Sequence, residues 1–428
     1  MKTLLNNFTW TCQNHKLSLL VTTNNNHVIM KKIYFILFLL LSLATYSQDN
    51  AKHYTIIVSL DGFRWDYPQI YGTPNLDKMA SIGVKAEKMT PSYPASTFPN
   101  HYTLATGLTP DHHGIVNNSF WIKEKDIRYA MGDSITQYNP QFYGGEPIWI
   151  TAQKQGVKVG VLYWVGSDIA IKNTYPTYYK KYGKAPFLTL AQRVDSAIAW
   201  FQKPENERPQ LIMLYMEEPD HTGHGFGPIS KETKNAVHYV DSLVGVLINK
   251  IEKLPIASQV NMIVTSDHGM AQISNKHWIK IQDHLKPSWY IHIEGSNPTS
   301  IFCKSKYKDS ILNALNKVSH IKAYKKEEIP QYLHYGTNER IGDIVVCPDC
   351  GWQFADIPKN GNGAHGYDPT HPNMQVIFRA FGPDFKEKYI SKGFVNTDIY
   401  SLLAHLLNIK PAKTDGSLSG VKDLLKQH

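Results

Sequence analysis

The chain has 428 residues, 45 of them Lys or Arg and 36 Asp or Glu, for a formal net charge of +9. With 42% hydrophobic and 19% charged residues it has the make-up of a large folded protein, not of a disordered or low-complexity chain. No basic run stands out, which excludes a dedicated nucleic-acid binder and gives no reason to expect a stable nucleic-acid partner.

Residues 1–29 are polar, Asn-rich and without pattern, and read as a non-native upstream extension ahead of a natural start at Met30. Residues 30–47 join the basic Met30-Lys31-Lys32 to an apolar run at 33–44 and small residues near Ser47. That is the grammar of a secretory signal peptide, and the run is too short for a comfortable membrane span. The expectation is an exported protein, periplasmic or secreted, with no membrane span in its mature form of residues 48–428. Lys2, Lys16, Lys31 and Lys32 precede the cut and no acid does, so the charge falls by four to +5. Cys303, Cys347 and Cys350 remain. In an exported chain Cys347-Pro-Asp-Cys350 reads as a loop disulfide with Cys303 left over, since a zinc pair would need two further soft ligands. Nothing in the sequence specifies an oligomeric state.

The mature chain opens on 53–60, a β-branched and aromatic run that predicts a buried strand delivering Asp61 at its end. A short helix is expected at 75–80 and a strand at 84–89. Thr97 then stands just before Phe98-Pro99, in a segment that breaks at Gly107, which predicts a short helix with Thr97 at its N-terminus. Free N–H groups there favour an anion, and a hydroxyl so placed can attack phosphorus; the plain alternative is that Thr97 only caps the helix. Further strands are expected at 157–164, Leu211–Met216, 261–265 and 376–381, and helices at 190–202, 231–254 and 397–407.

Buried runs alternating with amphipathic helices predict an α/β fold: a doubly wound, mostly parallel sheet covered on both faces. Between about 271 and 362 the alternation turns irregular and reads as a smaller inserted subdomain. Such sheets bind ligands at the carboxyl ends of their strands. Asp61, Asp220, Asp267 and His268 all fall there, Asp220 and His224 flank a Gly-rich loop, and His365 lies in another. Three carboxylates and three imidazoles suffice for two metal ions with three protein ligands each, and mixed N/O ligation suits zinc. His101, His112, His113, His221 and His371 are read as supporting or structural.

These residues sit in motifs that resemble the nucleotide pyrophosphatase/phosphodiesterase family of the alkaline phosphatase superfamily. The carriers are Ser59-Leu-Asp-Gly-Phe-Arg64, Pro91-Ser-Tyr-Pro-Ala-Ser-Thr-Phe-Pro-Asn-His101, the run from Thr106 to Asn118, Glu218-Pro-Asp-His-Thr-Gly-His224, Thr265-Ser-Asp-His-Gly-Met270 and Ala364-His-Gly-Tyr-Asp368. They span nearly all of the mature chain in the family's order. The resemblance implies two Zn2+ per chain, one held by Asp61, Asp267 and His268 together with the Thr97 hydroxyl, the other by Asp220, His224 and His365. It implies that Thr97 forms a covalent phospho-threonine intermediate and that Asn118 bonds a non-bridging phosphate oxygen, helped by the Phe98 N–H, with no separate His base. It further implies that Phe98 and Tyr182 sandwich a nucleotide base. The substrates expected are small nucleotide pyrophosphates and phosphodiesters, hydrolysed to nucleoside monophosphates. Competing readings are a glycerophosphodiester or choline-lipid phosphodiesterase, a phosphomonoesterase, which neutral Asn118 disfavours, and a binding protein that has lost catalysis.

Overall fold

A computed structural model of the chain describes residues 52–183, 185–357 and 361–427; the expected upstream extension and the signal segment lie outside the described residues. The first buried run forms β1 (Tyr54–Leu60), followed by β2 (Val84–Ala86), β3 (Val159–Leu162), β4 (Tyr178–Lys180), β5 (Leu211–Met216), β6 (Val260–Thr265), β7 (Phe378–Phe381) and β8 (Tyr389–Ser391). They form one sheet in the order β8-β2-β7-β6-β1-β5-β3-β4. The pairings of β1 with β5 and β6, and of β3 with β4 and β5, are parallel. β7 alone runs antiparallel to its neighbours, β6 and β2.

Every residue of β1 is buried. Successive side chains of a strand point to opposite faces, so a strand covered on both sides must be apolar throughout. Ile57, with Val161, Met213 and Ile263, faces a layer containing Tyr102 and Leu104 of α2 (Thr97–Thr106). Ile56 and Val58, with Leu214 and Val264, face the other layer. That layer holds Leu76 of α1 (Pro74–Ile82), Val194 of α3 (Leu190–Phe201) and the stripe Val237, Val240, Val244, Leu247 and Ile251 of α5 (Lys231–Ile251). Ser230 caps α5 by accepting the Thr233 N–H, and Thr189 with Gln192 forms a capping box on α3. This is the α/β architecture expected from the alternation.

Three expectations change. The strand at 84–89 divides: Val84–Ala86 joins the main sheet, while Met89–Thr90 pairs with Phe394–Val395. Exposed Glu87 and Lys88 between them cannot lie in a strand buried on both faces. Asp220 and His224 do not flank a loop but begin and nearly end a helix, α4 (Asp220–Phe226). The helix packs its Gly223 carbonyl on Gly363, where a Cβ would lie only 2.2 Å from that oxygen, so position 363 requires glycine, while a Cβ at Gly223 would press on the Met270 side chain at 3.2 Å. Finally, Cys347 and Cys350 are free thiols, as is Cys303. Each of the pair has its own partner, the Tyr93 hydroxyl 2.9 Å from Cys347 Sγ and the Asn373 amide donating to Cys350 Sγ at 3.8 Å. Burial pushes both thiols up to about 11.

The irregular region contains an antiparallel four-stranded sheet, ordered Tyr290–Glu294, Thr299–Cys303, Ile344–Pro348, Ile321–Lys325, around Ile301, Ile311, Leu315 and Val346. Among the described residues no helix is long and apolar enough to cross a membrane.

Candidate active site

Because β6 and β5 flank β1 in parallel, their carboxyl ends lie side by side, and so do the residues that follow them. Asp61 follows β1, Asp267-His268 follow β6, and Asp220 opens α4 beyond β5. The Asp220 N–H donates to the Asp61 carbonyl at 3.0 Å. Between these strands Gly62 has φ +69°, and a Cβ on it would sit 2.9 Å from the Asp220 Cα, so only glycine permits this approach. His365 is brought over the pair by Gly363–Ala364, which pairs with Ala271–Gln272 just after the His268 turn. The His268 and His365 rings stack at 3.7 Å. His224 lies one turn beyond Asp220 on α4, 3.4 Å from its carboxylate.

Thr97 is the first residue of α2, and Ser96, in extended conformation, occupies the cap position. The capping alternative for Thr97 therefore falls. Its Oγ1 lies 3.0 Å from His268 Nε2, at the positive end of the helix. His101, one turn further along α2, reaches back with Nδ1 to the Thr97 carbonyl at 3.0 Å and the Asp267 carboxylate at 3.2 Å, while Nε2 meets Ser59 Oγ at 2.9 Å.

The imidazole tautomers are fixed by the backbone. Nδ1 of His268, His224 and His365 lies 2.8, 2.9 and 3.1 Å from the carbonyls of Gly269, Gly363 and Ala95. A carbonyl can only accept, so each Nδ1 holds the proton and each Nε2 presents a lone pair. Those lone pairs face other acceptors. The Nε2 atoms of His224 and His365 are 3.2 Å apart, and His268 Nε2 is 3.3 Å from Asp61 Oδ1 and 3.1 Å from Asp267 Oδ2. Asp61 Oδ1 and Asp220 Oδ1 are buried without a hydrogen-bond partner, and buried Asp267 Oδ2 has only the His101 Nδ1 nearby, at 3.2 Å. Acceptors converging on acceptors in a buried site repel one another unless a cation sits among them, so this donor set fits divalent metal. Burial, then the charges of Asp267 and Asp220, pushes the Asp61 carboxyl well above its ordinary range. Burial, with His268 and His224 alongside, pushes His365 well below 6.5. By proximity alone the ligating atoms group as Asp220, His268 and His365, and as Asp61, His101 and Asp267. His101 has both ring nitrogens engaged, so it is a support for Asp267 and not a free ligand.

Thr97 lies on the wall shared by two cavities. One, of about 500 Å³, is aromatic, lined by Phe98, Tyr138, Tyr163, Trp164 and Tyr182 among others. Tyr182 packs edge-on against Tyr163 with ring centroids 5.5 Å apart, and its N–H donates to Asp168 Oδ2 at 3.0 Å. The other, of about 480 Å³, is the more polar of the two and holds Asn118, Asp220, His224 and His365 beside Met131, Ile273 and Phe354. Asn118 Oδ1 accepts the Phe98 N–H at 2.9 Å, so that N–H is already engaged and does not face a phosphate as expected.

One supporting residue escapes a sequence reading, whereas His101 is expected as a support and is one. Tyr215 sits in the apolar run of β5 and reads as core, yet its hydroxyl donates to Asp61 Oδ2 at 2.7 Å. His101 carries one usable signal, its four-residue spacing from Thr97 on a helix. Among the other histidines, His112 meets Asp415 and the His113 ring meets Thr103, while the His371 ring accepts the Asn373 N–H, all in structural roles.

Residues 55–368 match the family model described as type I phosphodiesterase/nucleotide pyrophosphatase. Human ectonucleotide pyrophosphatase/phosphodiesterase family member 1 is 36% identical over 389 residues, which cover 87% of this chain and 42% of that protein. The venom phosphodiesterase of Macrovipera lebetinus is 36% identical over 387 residues, covering 87% of this chain and 45% of that protein. This chain thus spans less than half the length of these curated relatives. A solved structure of murine ectonucleotide pyrophosphatase/phosphodiesterase 5, an inactive threonine-to-alanine variant in complex with AMP, aligns with a TM-score of 0.82 at 36% identity, covering 87% of this chain and all of that one.

Proposed function

The chain belongs to the type I phosphodiesterase/nucleotide pyrophosphatase family, and from that premise we propose that it is an exported di-zinc hydrolase that cleaves nucleotide pyrophosphates and phosphodiesters to nucleoside monophosphates through a phospho-threonine intermediate. The observation that carries this reading is the place of Thr97: a hydroxyl at a helix N-terminus, 3.0 Å from His268, between an aromatic and a polar cavity.

Asp61, Asp267, His268 and the Thr97 hydroxyl would hold one zinc, and Asp220, His224 and His365 the other. Bound there, the pair supplies Lewis acidity that lowers the hydroxyl pKa and offsets charge on the attacking and departing oxygens. Thr97 Oγ1 forms the new bond to phosphorus while the bond to the leaving oxygen breaks, and water then hydrolyses the Thr97–phosphorus ester to release the nucleotide. The positive end of α2 favours the phosphate against Thr97. The Phe98 N–H, by holding Asn118 Oδ1, turns the Asn118 amide donors toward a non-bridging oxygen, where charge grows in the transition state. Phe98 and Tyr182 offer faces for a base, and stacking on such rings contributes about 1–3 kcal/mol per base without selecting its identity. The AMP held by the murine relative, and the inactivity of its threonine-to-alanine variant, support both assignments. The ecto- and venom enzymes among the relatives support export.

The test is a nitrophenyl nucleotide diester against the matching monoester, with wild-type, Thr97→Ala and chelator-treated protein in parallel. Strong preference for the diester, abolished by both treatments, is the expected result. Preference for the monoester would make the chain a phosphatase, and turnover by Thr97→Ala would remove the covalent step.

A further inference from the structure

Besides Asp220 Oδ1, which belongs to the metal-ligand set, two residues that line the polar cavity each carry a buried side-chain atom with no hydrogen-bond partner. Asn297 is 6% exposed and its Oδ1 has no hydrogen-bond partner; Gln353 is 4% exposed and its Nε2 has none. Both residues line the cavity that holds Thr97, Asn118, Asp220, His224 and His365. The orientation of Asn297 is set, because its Nδ2 donates to the His365 carbonyl at 3.3 Å, which leaves Oδ1 as the free atom. Gln353 sits on a short strand, Gln353–Phe354, paired in parallel with Trp278–Ile279, and its N–H donates to the His277 carbonyl at 3.1 Å. Buried polar atoms nearly always have partners, so a donor and an acceptor left over on two residues of one cavity wall point to a ligand that reaches them.

We propose that Gln353 and Asn297 form the subsite for the leaving arm of the substrate and select an uncharged sugar there. The inference rests on the phosphodiesterase reading, since it takes the polar cavity as the place of the departing group while the base occupies the aromatic one. The chemistry of the pair chooses the arm. Gln353 Nε2 requires an acceptor and Asn297 Oδ1 requires a donor; a hydroxyl is both. A departing pyrophosphate has acceptors in plenty but sets oxygen against Asn297 Oδ1, and a nitrophenyl group likewise only accepts. A quaternary ammonium neither donates nor accepts. Among the described residues that line this cavity there is no Lys or Arg to receive a polyphosphate. The hydroxyls of a nucleoside, leaving through its 3′ oxygen, match both amides.

The experiment compares three uridine substrates on the full-length, zinc-loaded protein: uridylyl-(3′→5′)-uridine, UTP and the nitrophenyl ester of uridine 5′-monophosphate. In wild type, kcat/KM for the dinucleotide is expected to exceed that for UTP. In Gln353→Met, which keeps the length and removes the donor, the ratio of dinucleotide to nitrophenyl-ester kcat/KM is expected to fall roughly tenfold to a hundredfold, the range for an unpaired buried partner. Gln353→Glu, which keeps the acceptor and removes the donor, is expected to lower the same ratio. UTP outrunning the dinucleotide in wild type, or variants that slow both substrates equally, would overturn the subsite while leaving the phosphodiesterase reading in place. No turnover of the nitrophenyl ester by metal-loaded wild type would overturn the parent reading itself, and this one with it.

Discussion

His101 shows how much of this site depends on a residue that need not touch a substrate. Its ring spans from Ser59 to the Thr97 carbonyl and the Asp267 carboxylate, fully buried, and so ties the nucleophile's backbone to a ligand's side chain. Partners of this kind orient ligands, and losing one typically weakens metal affinity or activity about 10- to 100-fold. His101→Gln is therefore expected to fold and to give up zinc to a competing chelator at roughly tenfold lower chelator concentration than wild type; unchanged competition would reduce His101 to a packing residue. Gly62 acts by what it lacks. In Gly62→Ala the new methyl would press on the Asp220 backbone in a left-handed conformation, which is strained for any side chain. Metal content by atomic spectrometry and diesterase activity are expected to fall together, because the displaced residue is Asp220. A variant with full metal content and full activity would show that the Asp61 and Asp220 turns move apart without consequence.

At the scale of elements, the turn after α2 is held by buried polar groups. The helix Pro110–His113 places the Asp111 carboxylate where it accepts the N–H groups of Gly336, Thr337 and Asn338 and the Thr337 hydroxyl. Removing that acceptor strands several buried donors, so Asp111→Ala is expected to lower stability by about 3 kcal/mol in urea unfolding. Burial holds His113, next but one along, down to about 3 from its ordinary 6.5. Between those pH values the unfolded chain takes up a proton that the folded chain refuses, so this group subtracts stability as pH falls, by about 2 kcal/mol at pH 5. His113→Gln loses the contact to Thr103, yet its deficit relative to wild type is expected to shrink by about that amount between pH 8 and pH 5. An equal deficit at both pH values would mean that His113 titrates normally. These two residues also mark where the sequence stops being legible. The strands and long helices can be read in advance because burial on two faces forces continuous apolar runs, and an apolar stripe forces a helix such as α5. Strand ends then locate Asp61, Asp267 and His268. The helix at Asp220 reads as loop because glycine signals a break, and the Gly363 backbone on which it packs lies more than a hundred residues away. Tyr215, Asn297 and Gln353 are equally silent, since what distinguishes each is the atom it faces across the fold.

Over the whole molecule, two apolar layers determine the sheet, and the sheet determines where six ionisable groups meet. The Tyr215 hydroxyl on Asp61 and the rings of His268 and His101 beside Asp267 offset only part of the cost of gathering Asp61, Asp220 and Asp267: the Asp267 carboxyl is held below its ordinary range against its burial, while burial raises those of Asp61 and Asp220. The cluster opposes folding by itself and favours it once cations bind, because a preformed ligand set does not exist in the unfolded chain. A ligand held at a thousand times its Kd stabilises by about 4 kcal/mol. For a chain of this size each kcal/mol moves the melting temperature by about 2 °C or less. Stripping metal with a chelator is thus expected to lower Tm by roughly 4–8 °C in calorimetry, and returning zinc to restore it. Asp61→Asn, which removes the carboxyl whose charge burial and its acidic neighbours disfavour, is expected to respond less to the chelator than wild type does, because its apo form carries less repulsion and its holo form binds more weakly. The comparison separates two accounts of the site. If metal analysis shows both proteins stripped while neither Tm moves, the converging acceptors are satisfied by protons or water and the cluster does not require a cation. If wild type loses stability and the variant loses less, the same groups that would carry the chemistry are a net burden on the fold that metal relieves.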